Sequence, residues 1–399
     1  MKIKRVEEKD RERVKFIDYY CFYDEFHDKD KLNLFLDGTL EWETCFGAYD
    51  GETLMAILGL LDYKAAFNGR AIKMGGITTV ATLPEFRYKG TVGKLLSFTL
   101  NKMKEMGMVV SYLDAFQYAF YRKYGWEIGF VRKQVELVSE DLKGFGDNSH
   151  SFKPLNKDNI PDMNAVYEKY IENYNCAVLR SNKMWDTKFL WIKFLKHNIY
   201  GVFDKDDNLK GYIYYEKKKP EKQPFSDFCI YELVYSNVAA RAELLRFAYF
   251  HNAECQNIKW YGIPEDDPLL FELKNPRRNL KIDPNMMIRI VDVAGFLREI
   301  PDISGSEGEF TMRITDKHAE WNDGVFRVTV KNGGFEVIKD NTLPPDFECD
   351  INQFSLIVTG VCGFAYLTKY EKLTLNDKSK LEFLDALFPK KTTYMNEHF

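Results

Sequence analysis

Residues 77–126 read ITTVATLPEFRYKGTVGKLLSFTLNKMKEMGMVVSYLDAFQYAFYRKYGW and carry the pattern that decides the fold. The β-branched run at residues 77–80 predicts a strand, and Pro84 should end it, because proline has no N–H to donate to a β ladder. Apolar residues at three- and four-residue spacing from Val92 to Met103 then predict a helix, with Gly107 as its C-terminal cap. A second strand and a short aromatic helix are predicted over Met108–Leu113 and Gln117–Tyr124.

The loop between the first strand and the helix has the composition of an anion site. The start of a helix presents unpaired backbone N–H groups and the positive end of the helix dipole. Gly90 lets the backbone approach a ligand closely, and Arg87 and Lys89 add positive charge. A nucleotide-binding P-loop is excluded, because Tyr88 stands where its first glycine belongs and Leu95 replaces its serine or threonine. The loop therefore predicts a diphosphate site, although an Arg-x-x-Gly loop with a plain surface arginine has the same pattern.

Composition excludes several classes of protein. A chain of 399 residues exceeds what one hydrophobic core usually fills, so two or three domains are expected. The net charge of −4 and the isoelectric point near 6.0 give no general attraction to nucleic acid or to an anionic membrane. No apolar run approaches the ~20 residues of a membrane span, and the N-terminus lacks the apolar core of a signal peptide, so we expect a cytoplasmic protein.

The cysteines and histidines show neither disulfide spacing nor metal-site spacing. The seven cysteines are scattered and form no Cys-x-x-Cys pair, which favours free thiols in a reducing compartment. The six histidines include no His-x-x-x-His pair and no Cys/His cluster. We therefore predict no metal.

The chain is expected to divide into three regions of α/β (α+β) class. Residues 1–150 alternate strands and helices, and a strand over Glu127–Val138 closes this region before a glycine-rich linker at residues 143–149. Residues 151–285 repeat the β–α–β rhythm without another Arg-x-x-Gly loop. Residues 286–399 open with the apolar strand Met286–Val293 and continue as short strands around turns. This order predicts two similar domains followed by a third of a different kind.

Two motifs give the chain a family resemblance. Val80–Thr91, VATLPEFRYKGT, resembles the acyl-CoA signature of the GNAT N-acetyltransferases, and Phe120–Trp126, FYRKYGW, is similar to the Ile-Tyr-x-Arg-Phe-Gly-Tyr segment of the Eis-type (enhanced intracellular survival) acetyltransferases. The chain length and the last residue, Phe399, agree with the same family. The resemblance implies tandem GNAT-like mixed-sheet domains, the first with and the second without a cofactor loop, followed by a sterol carrier protein-like domain. It also implies acetyl-CoA as cosubstrate and a hexameric homo-oligomer.

By the same resemblance, Tyr121 is the general acid, and the terminal carboxylate of Phe399 is the base or an amine-orienting group. A phenol with a pKa near ~10 is protonated at neutral pH and suits donation to a departing thiolate. A terminal carboxylate with a pKa of ~3.5 is a weak base for an amine unless it is desolvated, so a water relay or simple orientation of the amine is an alternative. Most tyrosines only pack cores, Tyr118 and Tyr124 compete for the role, and chain ends often fray.

The resemblance also assigns residues to cofactor and substrate. Strand residues should bind the pantetheine arm and the following loop the diphosphate, which gives as cofactor-binding residues Val80, Ala81, Thr82, Arg87, Tyr88, Lys89, Gly90, Thr91, Val92, Gly93, Phe116 and Gln117. Phe116 and Gln117 depart from the Ser-Glu pair that is common in the family, so a side-chain donor near the thioester is lost. Acidic and aromatic residues should line the amine site, namely Phe22, Asp24, Glu25 and Trp42, unless the acidic ones form only a solvated loop.

These assignments predict an acetyl-CoA-dependent N-acetyltransferase that acts by direct transfer on primary amines of polycationic, aminoglycoside-like small molecules. Its expected partners are a small-molecule amine and further copies of the same chain, with no nucleic acid and no membrane. One alternative is a protein lysine or polyamine N-acetyltransferase. Another is a non-catalytic protein that binds acyl-CoA or an apolar ligand, which the loss of the Ser-Glu pair keeps open.

Overall fold

A computed structural model describes residues 1–22, 36, 40–221 and 224–399 of the protein. The strands in these ranges are, in chain order, β1 Lys2–Arg5, β2 Cys45–Asp50, β3 Thr53–Phe67, β4 Arg70–Thr82, β5 Val110–Leu113, β6 Glu127–Ile128, β7 Val131–Val138, β8 Ser151–Pro154, β9 Asn198–Phe203, β10 Leu209–Lys218, β11 Ser226–Tyr235, β12 Cys255–Ile263, β13 Asn279–Pro284, β14 Met287–Ile290, β15 Gly308–Thr315, β16 Gly324–Lys331, β17 Gly334–Lys339, β18 Phe347–Asp350 and β19 Thr374–Leu375. The α-helices are Arg11–Phe22, Thr91–Glu105, Tyr118–Arg122, Ile160–Ile171, Asn182–Leu195, Val238–Tyr249, Leu269–Glu272, Val293–Glu299, Ile351–Val358, Phe364–Lys369 and Leu381–Leu387.

The first sheet contains the motif region and has the order β1-β2-β3-β4-β5-β14-β6. Its strands β4 and β5 run parallel up to the pair Ile77 and Leu113, and a parallel pair needs a crossover connection. The helix Thr91–Glu105 is that crossover, and its apolar face, which includes Leu96, is fully buried in the same core as the sheet. The predicted strand–loop–helix–strand unit is therefore confirmed, although β4 begins earlier than predicted, at Arg70.

The prediction of one strand over Glu127–Val138 is wrong, because the chain leaves the first sheet within this range. β6 ends at Ile128 and pairs with β14, whereas β7 begins at Val131 and pairs with β12 and β13 of another sheet. Gly129 lies between β6 and β7, where the chain passes from one sheet to the other. A Cβ on this residue would come within 2.3 Å of the side chain of Ile288. The missing side chain of glycine is what lets the two chain segments approach so closely.

Strand β14 also differs from the sequence prediction. The sequence places it at the opening of the third region, but it lies in the first sheet between β5 and β6. All of its residues are buried, as is typical of a strand covered on both faces. The chain forms two compact units, residues 1–130, 285–391 and 397–399 in one and residues 131–284 and 392–396 in the other. The sheets therefore cross the divisions predicted at residues 150 and 285.

The second sheet repeats the plan of the first, with the order β13-β7-β12-β11-β10-β9-β8. Its parallel pair, β11 and β12, is connected by the helix Val238–Tyr249, which packs on the sheet through a buried apolar core. The connection before this helix spans only residues 236–237, whereas its counterpart in the first sheet spans residues 83–90. Asn237 caps the helix with its own side chain, which accepts a hydrogen bond of 2.9 Å from the backbone N–H of Ala240. At residues 236–237, the second sheet therefore lacks a counterpart of the basic loop that follows β4 in the first sheet.

The third sheet has the order β17-β16-β15-β18-β19 and belongs to the same compact unit as the first. Its core is aromatic: Phe310, Phe347, Phe364 and Phe388 are buried, and the rings of Phe347 and Phe364 meet edge to face with centroids 4.9 Å apart. The short strands predicted for this region are confirmed. Within the described ranges, no helix combines the length and the apolarity that crossing a bilayer requires.

Candidate functional site

Strand β4 extends beyond its parallel neighbour at one edge of the first sheet. The last pair with β5 is Ile77 and Leu113, whereas β4 stays paired with β3 as far as Thr82. On the β5 side, residues 78–82 therefore present backbone groups that pair with no described strand. An edge of this kind can bind an extended ligand through main-chain hydrogen bonds. The residues assigned to the pantetheine arm lie on it; Ala81 and Thr82 are buried and Val80 is half-buried.

A β-bulge lies within this free segment of β4. Thr79 has a φ of 53°, and the pairing with β3 shifts register at this point, between Ile57 and Gly59. A β-branched residue in the left-handed region costs on the order of 1–3 kcal/mol, so the surrounding structure must hold it there. Bulges bend a strand and re-aim its groups, and they are over-represented next to active sites. The strain points to the free edge of β4 as a functional segment.

The loop after β4 leaves the start of the helix Thr91–Glu105 without a side-chain cap. Gly90 is the residue before the helix, with a φ of 72°, and a Cβ on it would meet nothing within 4 Å. Tyr88 has a φ of 61° and a fully exposed ring, and Lys89 is exposed beside it. Uncapped N–H groups, open space and adjacent positive charge fit the diphosphate of a coenzyme. The remaining predicted loop residues form the first turn of the helix: Thr91, Val92 and Gly93.

Arg87 bonds to the end of β4. Its Nε donates a hydrogen bond of 3.0 Å to the carbonyl oxygen of Thr82, and its Nη2 lies 4.0 Å from Sγ of Cys21. Sγ of Cys21 lies 3.8 Å from the same carbonyl oxygen. The guanidinium therefore ties the loop to the strand that precedes it, and its charge remains within the predicted anion site.

Tyr121 lies on the short helix Tyr118–Arg122, and its side chain is only 1% exposed. The rings of Phe116 and Phe120 meet it edge to face, with centroids 5.6 Å and 5.2 Å away. Burial raises the pKa of Tyr121 well above its usual value, and the negative charge of Asp114 raises it further. The phenol therefore keeps its proton across the physiological pH range, as a general acid at this position must.

The two competing tyrosines have structural contacts of their own. The hydroxyl of Tyr118 donates a hydrogen bond of 3.1 Å to the backbone carbonyl of Asn285. Tyr124 packs on the ring of His318 with centroids 4.7 Å apart, and a Cβ on Gly93 would lie 2.1 Å from its hydroxyl. Both contacts favour Tyr121 as the proton donor. Phe116 and Gln117, which precede the helix, are exposed, and Phe116 is 72% exposed.

The last residues of the chain lie on the first sheet. The ring of Phe399 meets Tyr63 edge to face with centroids 5.5 Å apart, and a Cβ on Gly76 of β4 would lie 3.0 Å from the same ring. Nδ1 of His398 lies 3.9 Å from Oδ2 of Asp114. An aromatic contact in the middle of β4 therefore holds the end of the chain.

Asp114 is a candidate site residue that the sequence analysis missed. It directly follows β5, it neighbours His398 of the tail, and its charge acts on Tyr121. The signal in the sequence was its place immediately after a buried strand, at the sheet edge where β4 and β5 part. Two more carboxylates, Glu41 and Glu397, contribute with burial to raising the pKa of Tyr63 beside Phe399. The surroundings of the tail are therefore acidic.

The predicted amine-site residues are only partly described. Asp24 and Glu25 lie outside the described residues. Phe22 ends the helix Arg11–Phe22 and is 48% exposed. Trp42 packs against the buried cluster that contains Ala81, and the guanidinium of Arg11 lies 4.9 Å from the centre of its ring.

One group of possible metal ligands occurs in the second unit. Ligand atoms of Asp147, His150 and Glu243 lie within 4.8 Å of one another. One oxygen of Glu243 accepts hydrogen bonds from the backbone N–H groups of Asp147 and Ser149, and the other is paired with Arg246 at 2.5 Å. Protein donors therefore already use both oxygens of this carboxylate. The same bonds hold Asp147 and Ser149, which belong to the predicted linker at residues 143–149, against Glu243.

Comparisons with known proteins identify three domains. Residues 2–129 and residues 176–290 each match an acetyltransferase (GNAT) domain family, and residues 293–396 match a sterol carrier protein domain family. An uncharacterized N-acetyltransferase from Streptomyces avermitilis is 20% identical over 75% of this chain and 75% of its own.

Solved structures share the fold along the whole chain. A protein of unknown function from Enterococcus faecalis V583, described as a probable N-acyltransferase, superimposes with a TM-score of 0.89 at 22% identity, covering 100% of this chain and 99% of its own. Eis1 from Mycobacterium abscessus superimposes with a TM-score of 0.83 at 17% identity, covering 100% of both chains. The chain thus consists of two GNAT acetyltransferase domains followed by a sterol carrier protein domain, and it shares this fold with Eis1.

Proposed function

We propose that the protein is an acetyl-CoA-dependent N-acetyltransferase that acts on primary amines of polycationic, aminoglycoside-like small molecules. One observation carries the proposal: the buried phenol of Tyr121 and the anchored tail at His398 share Asp114 as a neighbour, where β4 and β5 part. The proposal is that the acid, the tail and the free edge of β4 act together at this edge of the sheet.

The bound coenzyme would supply an acetyl thioester. Val80, Ala81 and Thr82 would hold its pantetheine arm through the free edge of β4, and the turn from Tyr88 to Gly93 would hold its diphosphate. Phe116 and Gln117, which are exposed, would also contact the arm. The second GNAT domain would bind no coenzyme, because Asn237 caps its helix and residues 236–237 leave no room for a loop.

Direct transfer needs one group that donates a proton to the leaving sulfur and one group that deprotonates or orients the amine. The amine nitrogen bonds to the carbonyl carbon as the carbon–sulfur bond breaks, and Tyr121 gives its proton to the departing sulfur. The amine would lose a proton to the terminal carboxylate of Phe399, either directly or through water. The carboxyl group would then release that proton to solvent, and solvent would return one to Tyr121. The carboxylates of Glu41, Asp114 and Glu397 would favour a substrate with several positive charges.

The finer alternatives are lysine side chains or polyamines as acceptors, and a non-catalytic binding protein. These alternatives can be separated by incubating the protein and acetyl-CoA with a panel of aminoglycosides, polyamines and lysine peptides. Thiol release and the masses of the products are then measured. We expect thiol release and a mass increase of one or more acetyl groups with the aminoglycosides. Absence of thiol release with every amine, combined with retained coenzyme binding, would favour the binding protein.

The same resemblance supports a cytoplasmic homo-oligomer, which we propose to be a hexamer. Light scattering coupled to gel filtration measures the mass of the assembly directly. A mass of six chains is expected, and a monomer would contradict the proposal without affecting the assignment of the site.

Adding two residues after Phe399 should lower turnover about 100-fold, because a catalytic group displaced by even ~1 Å can lose that factor. The ring contacts with Tyr63 and Gly76 should remain, so the thermal unfolding midpoint should stay unchanged. Thiol release under saturating substrates is the measurement. The same two residues placed before Met1, which is 51% exposed, serve as the control. Unchanged turnover of the extended chain would remove the terminal carboxylate from the mechanism.

Replacing Gly90 by Asp should raise the KM for acetyl-CoA at least about 10-fold, a loss of ~1.4 kcal/mol in binding. Aspartate tolerates the left-handed conformation of Gly90, but its carboxylate would repel the diphosphate. Gly107→Asp is a matched control, because Gly107 lies beyond the other end of the same helix with a φ of 73° and equally open space. Equal KM values for both variants would contradict the assignment of the loop.

A further inference from the structure

The segment that follows Tyr121 is held by groups far away in the chain. The side-chain amide of Asn352, in the first turn of the helix Ile351–Val358, donates hydrogen bonds to two backbone carbonyls. One bond, of 3.2 Å, reaches Arg122, and the other, of 2.9 Å, reaches Trp126. Asn352 thus bridges the two ends of the turn that carries the second family motif.

A second donor holds the carbonyl between these two. Nη1 of the completely buried Arg289 donates a hydrogen bond of 2.6 Å to the carbonyl of Tyr124, and Nη2 pairs with Asp316 at 2.6 Å. The ring of His318 packs on Tyr124 from the same side-chain cluster. Three alternate carbonyls of the motif, those of Arg122, Tyr124 and Trp126, are therefore held by side chains that follow residue 129, where the first GNAT family match ends.

The local structure of Tyr121 gives a reason for this bracing. Its helix has only 5 residues, and an isolated helix shorter than about 12 residues is marginal in water. The turn is joined directly to Tyr121, because the carbonyl of Tyr121 accepts hydrogen bonds from the backbone N–H groups of Tyr124, at 2.9 Å, and Trp126, at 3.3 Å. A shift of the Arg122–Trp126 turn therefore moves the residue that carries the phenol.

We propose that Asn352 is a positioning residue, through which the sterol carrier protein domain sets the orientation of Tyr121. This inference rests on the proposed function of Tyr121 as proton donor. It gives the third domain a role in the acetyl transfer besides that of carrying the chain end. Orientation of an acid within a fraction of an ångström governs the rate of the chemical step, and it leaves coenzyme binding on β4 untouched.

The test replaces Asn352 by Asp, which keeps the shape of the side chain but turns the donor toward both carbonyls into an acceptor. We expect kcat to fall about 10- to 100-fold while the KM for acetyl-CoA changes less than about twofold. Asn376→Asp is the matched control: the amide of Asn376, in the same domain, also donates two hydrogen bonds, of 3.0 Å each, to Pro345 and Glu348. It should keep the wild-type kcat.

A second measurement separates positioning from a general structural role. In a Tyr121→Phe background, Asn352→Asp should cause no further loss of the residual turnover, because the group that it orients is gone. An equal loss in both backgrounds, a wild-type kcat for Asn352→Asp, or an equal loss for Asn376→Asp would each overturn the inference. Wild-type turnover of Tyr121→Phe alone would instead overturn the proposed function itself.

Discussion

Replacing Tyr121 by phenylalanine is expected to reduce thiol release from acetyl-CoA about 10²- to 10⁴-fold, the usual contribution of a positioned general acid. The departing thiolate would then have to leave without a proton from the enzyme. The ring of phenylalanine fills the same space between Phe116 and Phe120, so the fold and the KM for acetyl-CoA should be retained. Turnover of the purified variant at saturating substrate, with circular dichroism to verify folding, gives the measurement.

Tyr118→Phe is the matched control for this experiment. It removes a hydroxyl from the same helix, and that hydroxyl donates its hydrogen bond to a structural acceptor, the backbone carbonyl of Asn285. We expect it to lose about 1 kcal/mol of stability and little turnover. A Tyr121→Phe enzyme with wild-type kcat, or a Tyr118→Phe enzyme with the larger loss, would show that the acid is misassigned.

Replacing Arg289 by methionine is expected to lower the free energy of unfolding by about 3–5 kcal/mol, because Asp316 would keep its charge in the interior without its partner. The pair joins strand β14 to the loop after β15, and both side chains are at most 1% exposed. Burial by itself lowers the pKa of Arg289, and Asp316 counteracts this. Denaturant unfolding followed by fluorescence measures the loss.

Two further variants make this prediction specific. Arg289→Met combined with Asp316→Asn should recover much of the lost stability, since no unpaired charge remains. Arg313→Met breaks an ion pair with Asp323 that is 3.2 Å long but partly exposed, and it should cost at most about 1 kcal/mol. A loss of that small size for Arg289→Met would mean that the buried pair does not stabilise the unit.

The same pair explains a glycine of the second motif. Gly125 has a φ of 94°, and a Cβ on it would lie 1.5 Å from Nη1 of Arg289. A motif glycine is commonly attributed to a turn, and here the turn is real. The stricter requirement for glycine at this position is the space that the Arg289 guanidinium occupies beside it. No feature of residues 120–126 predicts this contact.

Local patterns were enough to identify the strand, loop and helix of the coenzyme-binding unit. β-branched residues before Pro84, apolar spacing up to Met103 and Gly107 at the helix end each act within a few residues, and the structure contains all three elements. The family motifs likewise pointed to Tyr121 and Phe399 without any knowledge of contacts. Their roles stay predictions until the variants are measured.

Sheet membership was decided only by the tertiary structure. An apolar strand pattern records how much of a strand is buried, and it does not name the neighbour that buries it. The residues 127–138 therefore read as one strand, although Gly129 separates two strands that belong to different sheets. For the same reason the sequence pattern placed β14 at the start of a third domain, whereas in the structure β14 pairs with β5 of the first sheet.

The sequence by itself predicted an anion-binding loop, because basic residues at a helix start are a local feature with a local physical cause, and the resemblance to the GNAT N-acetyltransferases supplied the class of chemistry. The tertiary structure alone brought Asp114 to the tail and Asn352 to the motif. Asn352 bonds to Arg122 and Trp126 across 230 and 226 residues of chain. A hydrogen bond between such distant groups leaves no periodicity in the sequence, since its geometry exists only after the chain has folded.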